Sequence, residues 1–169
     1  MNTNAQRGFS LHELLIVLII AAIFASIAAP GFTVLMQKNR IATATSDISG
    51  ALSYIRSEAI RRGQTVALCP NAAGLAAGWD VRLGNCNTST VLSVHEPLKG
   101  ITFPAANTIA TPLLVNRMGI AATGAPWVNA DNFVFHASSC TPGMADLQRR
   151  LAISALLEVD AKKEACPQP

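Results

Sequence analysis

The sequence is poor in charge and in aromatic rings. Charged side chains make up 14% of it and aromatic ones 5%, with a single tyrosine. A net charge of +3 over 169 residues falls short of the concentrated basic footprint of a dedicated nucleic-acid binder. The three histidines, His12, His95 and His136, stand singly. None of the four cysteines forms a C-x-x-C, and no His pair completes a zinc pattern. Neither Gly119 nor Gly124 leads into Lys-Ser or Lys-Thr, so no phosphate loop is indicated. His95-Glu96 and Ser138-Ser139-Cys140 read as strand-end and loop polar residues rather than as acid–base or nucleophilic groups. The chain is expected to be no enzyme, and to use no metal and no cofactor.

What is abundant is apolar surface, and it is concentrated near the N-terminus. Residues 1–8 are short, polar and carry one charge, Arg7. From Leu14 to Ala29 the run is apolar except for Ser26. Counted from Phe9 to Ala29, a helix would be about 31 Å long, close to the hydrocarbon thickness of a bilayer of about 30 Å. Two ordinary readings compete: a secretory signal peptide with a small-residue cleavage site near Ala25–Ala29, and a simple membrane anchor. Glu13 suits neither, because a carboxylate at the start of a spanning helix needs a partner. Cleavage after Gly8 would create one: an amine on Phe9 lies four residues, one helical turn, before Glu13.

The stretch Gly8-Phe9-Ser10-Leu11-His12-Glu13, followed by an apolar helix, resembles the prepilin methylation motif. That resemblance implies cleavage after Gly8 by prepilin peptidase and N-methylation of Phe9. It also implies that Glu13 pairs with a neighbouring subunit's N-terminus during assembly. Pro30 stands where pilins of this family often carry a helix-perturbing proline. It removes a backbone donor and disfavours helix at Ala29, so a kink is expected there. His12 departs from the pattern, in which an aliphatic residue is usual; snorkelling to the headgroups is the reading preferred for it.

Beyond Pro30-Gly31, Ile41, Ala44, Ile48, Ala51, Leu52, Ile55 and Ala59 recur at three- and four-residue steps between polar residues. This is one apolar stripe on an amphipathic helix. Arg61-Arg62-Gly63 supplies a basic last turn and a glycine stop. The segment Leu52–Gly63 is similar to the L-x-x-A-R-S-E-A-[IV]-x-R-[GN] region of the fimbrial biogenesis T and U minor pilins and of the H pseudopilin of type II secretion. Ile55 replaces the usual alanine. Thr65–Pro70 and Gly78-Trp79 resemble that family's first strand and its G-W step, so the recognisable part covers about residues 8–80.

From Gln64 onward short apolar runs alternate with Gly, Pro, Asn and Ser clusters. Candidate strands are Thr65–Leu68, Trp79–Leu83, Val91–His95, Ile101–Phe103, Leu113–Val115, Asn132–His136 and Leu151–Leu157. Asn71–Gly78, Gly119–Ala130 and Ser138–Asp146 read as loops, and Pro167-Gln168-Pro169 as a frayed tail. The expected fold is α+β: a long N-terminal helix packed on a small antiparallel sheet, pilin-like. Its expected parts are a leader (1–8), a transmembrane and filament-core helix (9–30), an amphipathic helix (31–62) and a periplasmic globular domain (63–169). Cys69, Cys86, Cys140 and Cys166 are an even set in a chain expected to be exported, which reads as two disulfides. Of the three connectivities, Cys69–Cys86 with Cys140–Cys166 is preferred, because each closes a modest loop.

The resemblance implies a single-pass protein of the bacterial inner membrane that moves into a pilus or pseudopilus. Its implied partners are other pilins or pseudopilins, the peptidase and methyltransferase, the assembly platform and membrane lipids. The implied role is a minor pilin that primes or caps a type IV pilus, with the H pseudopilin of type II secretion as the rival. Some T-type minor pilins bind DNA through a C-terminal G-R-x-R motif. Here Arg149 and Arg150 are present as candidate DNA contacts, but Ala155, Leu156, Leu157 and Glu158 occupy the motif, and Glu158 opposes phosphate. Lys162 and Lys163 read as a flexible, solvated basic pair.

Overall fold

A single helix and eight strands make up the computed structural model, which describes residues 10–88, 90–104, 111–122, 127–128 and 133–167, without the side chains of 28–30. Helix α1 runs over Leu11–Arg62. The chain divides into two units, Met1–Met36 and Gln37–Pro169, and α1 contributes to both.

In the first unit α1 starts on an N-cap. The Glu13 backbone N–H donates to Ser10 Oγ at 3.2 Å. Ser-x-x-Glu at these positions is the sequence of a capping box, and it satisfies one of the orphan donors of the first turn. The helix is apolar on every side: Leu14, Leu15, Ile16, Val17, Leu18, Ile19 and Ile20 are all exposed, whichever way they point. Such a surface in water has no partner, and lipid or other helices are its natural surroundings. Among the described residues no single helix is long and apolar enough to cross a membrane; Leu11–Ile27 and Gly31–Arg62 meet that test only as a pair. Gly8 and Phe9 lie outside the described residues, as does the side chain of Pro30.

In the second unit the expected stripe is the helix's buried face. Ile41, Ala44, Ile48, Leu52, Ile55 and Ala59 are all at most 2% exposed. They form one core with Leu68, Leu113, Val115, Phe133, Phe135, Leu147 and Leu151 from the strands. The helix stops as Gly63 turns to φ 64°. Gly63 N–H then donates to Ile60 O and Gln64 N–H to Ala59 O, both at 3.3 Å. That pair of bonds is a Schellman motif, which the glycine permits without Cβ strain.

The strands are β1 (Val66–Asn71), β2 (Gly74–Leu83), β3 (Val91–His95), β4 (Ile101–Thr102), β5 (Leu113–Val115), β6 (Phe133–Ala137), β7 (Gln148–Ile153) and β8 (Val159–Glu164). They form two four-stranded sheets where one small sheet was expected. The first has the order β3-β2-β1-β5 and the second β4-β6-β7-β8. Every recorded pairing is antiparallel.

Four expectations need correction. Asn71–Gly78 is not a loop: β1 and β2 meet in a tight hairpin with Asn71 opposite Gly74, and Asn71 Oδ1 accepts from Ala73 N–H. The stretch Gly-Leu-Ala-Ala-Gly has weak strand propensity; Gly74 pairs with Asn71, residues 75–78 fall in a register shift before Trp79 pairs with Pro70, and Ala76 O accepts from Leu98 N–H at 2.9 Å. Leu151–Leu157 is displaced: β7 covers Gln148–Ile153, and Leu157 sits in the following turn at φ 62°. Lys162 and Lys163, read as a flexible, solvated pair, have exposed side chains but lie on a strand, β8, opposite Arg150 and Arg149. That strand lacks an apolar alternation because it is an edge, where charge is common. The expected loop Gly119–Ala130 also contains ordered anchors: Ala121 bridges Val115, and Trp127 is fully buried with Nε1–H donating to Thr111 O at 2.9 Å.

Candidate functional site

Among the described residues, no group of three or more His, Cys, Asp or Glu could hold a metal ion. The residues singled out by sequence fall at separate places, each with its own physical role.

Glu13 lies in the first turn of α1 and is exposed. Its backbone is capped by Ser10, but its carboxylate has no recorded partner among the described residues. His12 beside it is exposed as well. An acidic group is compatible with the positive end of the helix dipole, and its oxygens remain available to a cation.

At the other end of α1, Glu58 organises the last turn. Arg61 Nη2 donates to both its oxygens, at 2.9 and 2.7 Å, and Arg62 Nε donates to Oε2 at 2.6 Å. The Glu58 carboxyl is held below the usual carboxylate value by the hydrogen bond from Arg61 first and that from Arg62 second. The two arginines also face the carbonyl end of the helix dipole, where positive charge is favoured. The spacing Glu-x-x-Arg-Arg, at i+3 and i+4, was a readable signal for this clasp. Arg56, from the same segment, donates through Nη1 to Leu156 O at 2.8 Å. Its stem lies against Gly119, where an added Cβ would stand 3.0 Å from Arg56 Cγ and 2.7 Å from Ile60 Cδ1. Arg56, Glu58, Arg61 and Arg62 of the helix's recognisable segment therefore serve the fold.

Cys69 bonds Cys86, and Cys140 bonds Cys166, each with a Cα–Cα separation of 5.6 Å. The first ties β1 to the turn after β2. The second ties the 138–146 segment to the chain just past β8, where Cys166 N–H also donates to Met144 O.

Gly78 and Trp79 form a tight junction with the end of β3. Gly78 has φ 96°, and a Cβ there would stand 2.5 Å from His95 O. Trp79 and the His95 ring stack at 4.0 Å between centroids, nearly parallel. His95 Nε2 lies 3.6 Å from Asp47 Oδ2 on α1, and the other ring nitrogen bonds Glu96 O at 2.7 Å. Sequence reasoning placed His95 at a strand end and missed this bridge, since Asp47 is remote along the chain.

Arg149 is buried in the domain, and Arg150 is held at its surface by partners within this chain. Arg149 is 7% exposed, and its Nη1 donates to the carbonyls of Asp146 and Gln148 at 3.0 Å. Burial lowers its pKa. Arg150 Nε donates to Glu164 Oε1 at 2.6 Å, and Gln148 Nε2 donates to Oε2 of the same carboxylate.

A sequence profile for the family described as type II transport protein GspH matches residues 44–156. The chain belongs to the GspH family. That match covers the buried stripe of α1 from Ala44 onward, both sheets as far as β7, and the Glu58 clasp. The profile of the prokaryotic N-terminal methylation motif matches residues 3–29, which includes Gly8, Phe9 and Glu13. The fold of this GspH-family chain is similar to two crystal structures of the type IV minor pilin FimU from Pseudomonas aeruginosa strain PAO1. One gives a TM-score of 0.56 at 18% identity, covering 76% of this chain and 96% of that one. The other gives 0.52 at 16% identity, covering 74% and 98%. The likeness to FimU is one of fold: a long N-terminal helix followed by antiparallel sheets, the pilin-like α+β arrangement.

Proposed function

We propose that this GspH-family chain is made as a precursor and inserted once into the bacterial inner membrane through the apolar start of α1, with its β domain in the periplasm. Prepilin peptidase then cuts after Gly8, Phe9 is N-methylated, and the subunit is drawn into a thin filament. Its role there is structural: to prime or cap a type IV pilus in company with other pilins and an inner-membrane assembly platform. The observation that carries this reading is the start of α1. Its apolar residues face outward on every side, and the exposed Glu13 heads them without a partner among the described residues. A neighbour's amine would neutralise the carboxylate, and neighbouring helices would cover the apolar surface. Pro30 is expected to loosen the helix where the two regimes meet.

A type II secretion pseudopilus is the second reading, and the description of the matching family favours it. DNA uptake has less support, because Arg149 is buried on backbone carbonyls and Arg150 is held by Glu164. Glu13→Ala tests the assembly step. The variant should insert into the membrane normally, while its recovery in sheared filaments falls about tenfold or more, the scale of a lost desolvated charge pair. Normal recovery would show that the carboxylate has no assembly role.

A further inference from the structure

We propose that the outer edge of β3 accepts an extended strand from a neighbouring filament subunit of another kind; this rests on the filament reading above. Strand β3 ends the first sheet and has β2 as its one neighbour there. Among the described residues, no loop or strand bonds to its far side. Its five residues, Val91-Leu92-Ser93-Val94-His95, include no Asp, Glu, Lys, Arg or Pro. Val94 is 69% exposed and Val91 42%.

Pairing places Val94 opposite Asp80 and Val91 opposite Arg82. Opposed antiparallel residues share a face, so both valines flank the Asp80–Arg82 ion pair of 2.8 Å on one side of the sheet. The charges beside the valines are already spent on each other. An unpaired row of N–H and C=O groups beside exposed apolar side chains is a template for another strand, and proteins normally blunt such edges.

The other described edges are blunted. Strand β8 carries Asp160, Lys162, Lys163 and Glu164 within six residues. Strand β4 has two residues and β5 three, and β5 is further engaged by the Val115–Ala121 bridge. The β2–β3 pairing shifts register once, between Val81 and Arg82, but an edge free of charge and proline amid charged or very short ones has the signature of a contact surface, in which main-chain bonds give affinity and alternate side chains give selectivity.

The charges at its rim describe the occupant. Glu96, just past β3, is exposed and has no recorded ion pair, and Asp47 lies against His95 at the same end. A fitting strand is apolar where it flanks Val91 and Val94 and carries Lys or Arg where it reaches Glu96. Among the described strands, a second copy of this chain offers none that fits. Its β8 has charge on both faces, and β3 against β3 would be an isologous pair that closes on itself, whereas filaments grow through heterologous contacts.

The test uses the full chain in cells that build its filament, with the native disulfides intact. Val94→Cys is labelled with a short thiol-anchored photocrosslinker, whose free end inserts into any neighbouring C–H bond, and Lys163→Cys on β8 serves as the control. The expected product is an adduct with a different subunit, identified by mass spectrometry, formed about tenfold more from position 94 than from 163. Val94→Lys should lower recovery in filaments about tenfold while leaving the melting temperature of the purified chain unchanged. An adduct between two copies of this chain, equal yields at 94 and 163, or no adduct from a chain that is cleaved and assembled normally would each overturn the strand-addition site. A chain that keeps residues 1–8 and stays out of filaments would instead overturn the filament reading, and this proposal with it.

Discussion

Glu58 is the residue on which most of the local electrostatics of α1 converges. Its carboxyl is lowered from the ordinary 4.5 by hydrogen bonds from Arg61 and then Arg62. A carboxyl lowered on folding contributes stability above its unfolded value and loses it as pH falls through the folded value. Glu58→Gln should therefore lower the melting temperature at neutral pH, and the gap from the native chain should close on acidification below about pH 4.5. A gap that persists unchanged into acid would show that the ionised clasp is not the source. Gly78 works by geometry alone. Gly78→Ala forces an L side chain to φ 96° and drives its Cβ within 2.5 Å of His95 O, which should destabilise the domain by about 2–4 kcal/mol in urea unfolding of the detergent-solubilised chain. Trp79 fluorescence should report the same change, because the indole stacks on the displaced His95.

At the scale of elements, the second disulfide pins the polar edge of the second sheet. Strand β8 is polar and exposed at most positions, and its far end is pinned by Cys166 to Cys140 across a sequence separation of 26. Replacing both cysteines with serine should cost about 3 kcal/mol in the chain-entropy picture. Amide exchange in β8 should accelerate more than in β1, which keeps Cys69–Cys86. What the sequence made legible follows the same physics. The α1 stripe could be read because six buried positions repeat with the helix period and are interrupted by charge. Strands β3 and β5 could be read because they are short apolar runs bounded by turn residues. Strand β8 could not, since an edge stabilised by pairing with Arg149, Arg150 and Leu151 needs no apolar pattern of its own. The start of β2 was hidden for a related reason: Gly74–Gly78 has little strand propensity and is held by the Gly74–Asn71 pairing, by the bond from Leu98 N–H to Ala76 O and by the close approach of His95 to Gly78. The assignment of roles was uneven too. Glu58 lay inside a recognised motif, but its clasp needed the side-chain geometry, and the buried state of Arg149 needed the sheet.

The whole molecule carries two kinds of apolar surface, each suited to different surroundings. In the second unit the stripe of α1 is covered by the strands, so that part has an aqueous exterior. In the first unit the apolar side chains are uncovered on all sides. Glu13 is a charge placed at the head of that surface, and its retention makes sense if processing at Gly8 manufactures an amine to meet it. The most direct test is mass spectrometry of the N-terminus of the native protein recovered from its own membrane. A mature chain that begins at N-methyl-Phe9 is the result predicted. An intact chain that begins at Met1, or one trimmed near Ala29 with the apolar segment gone, would contradict it.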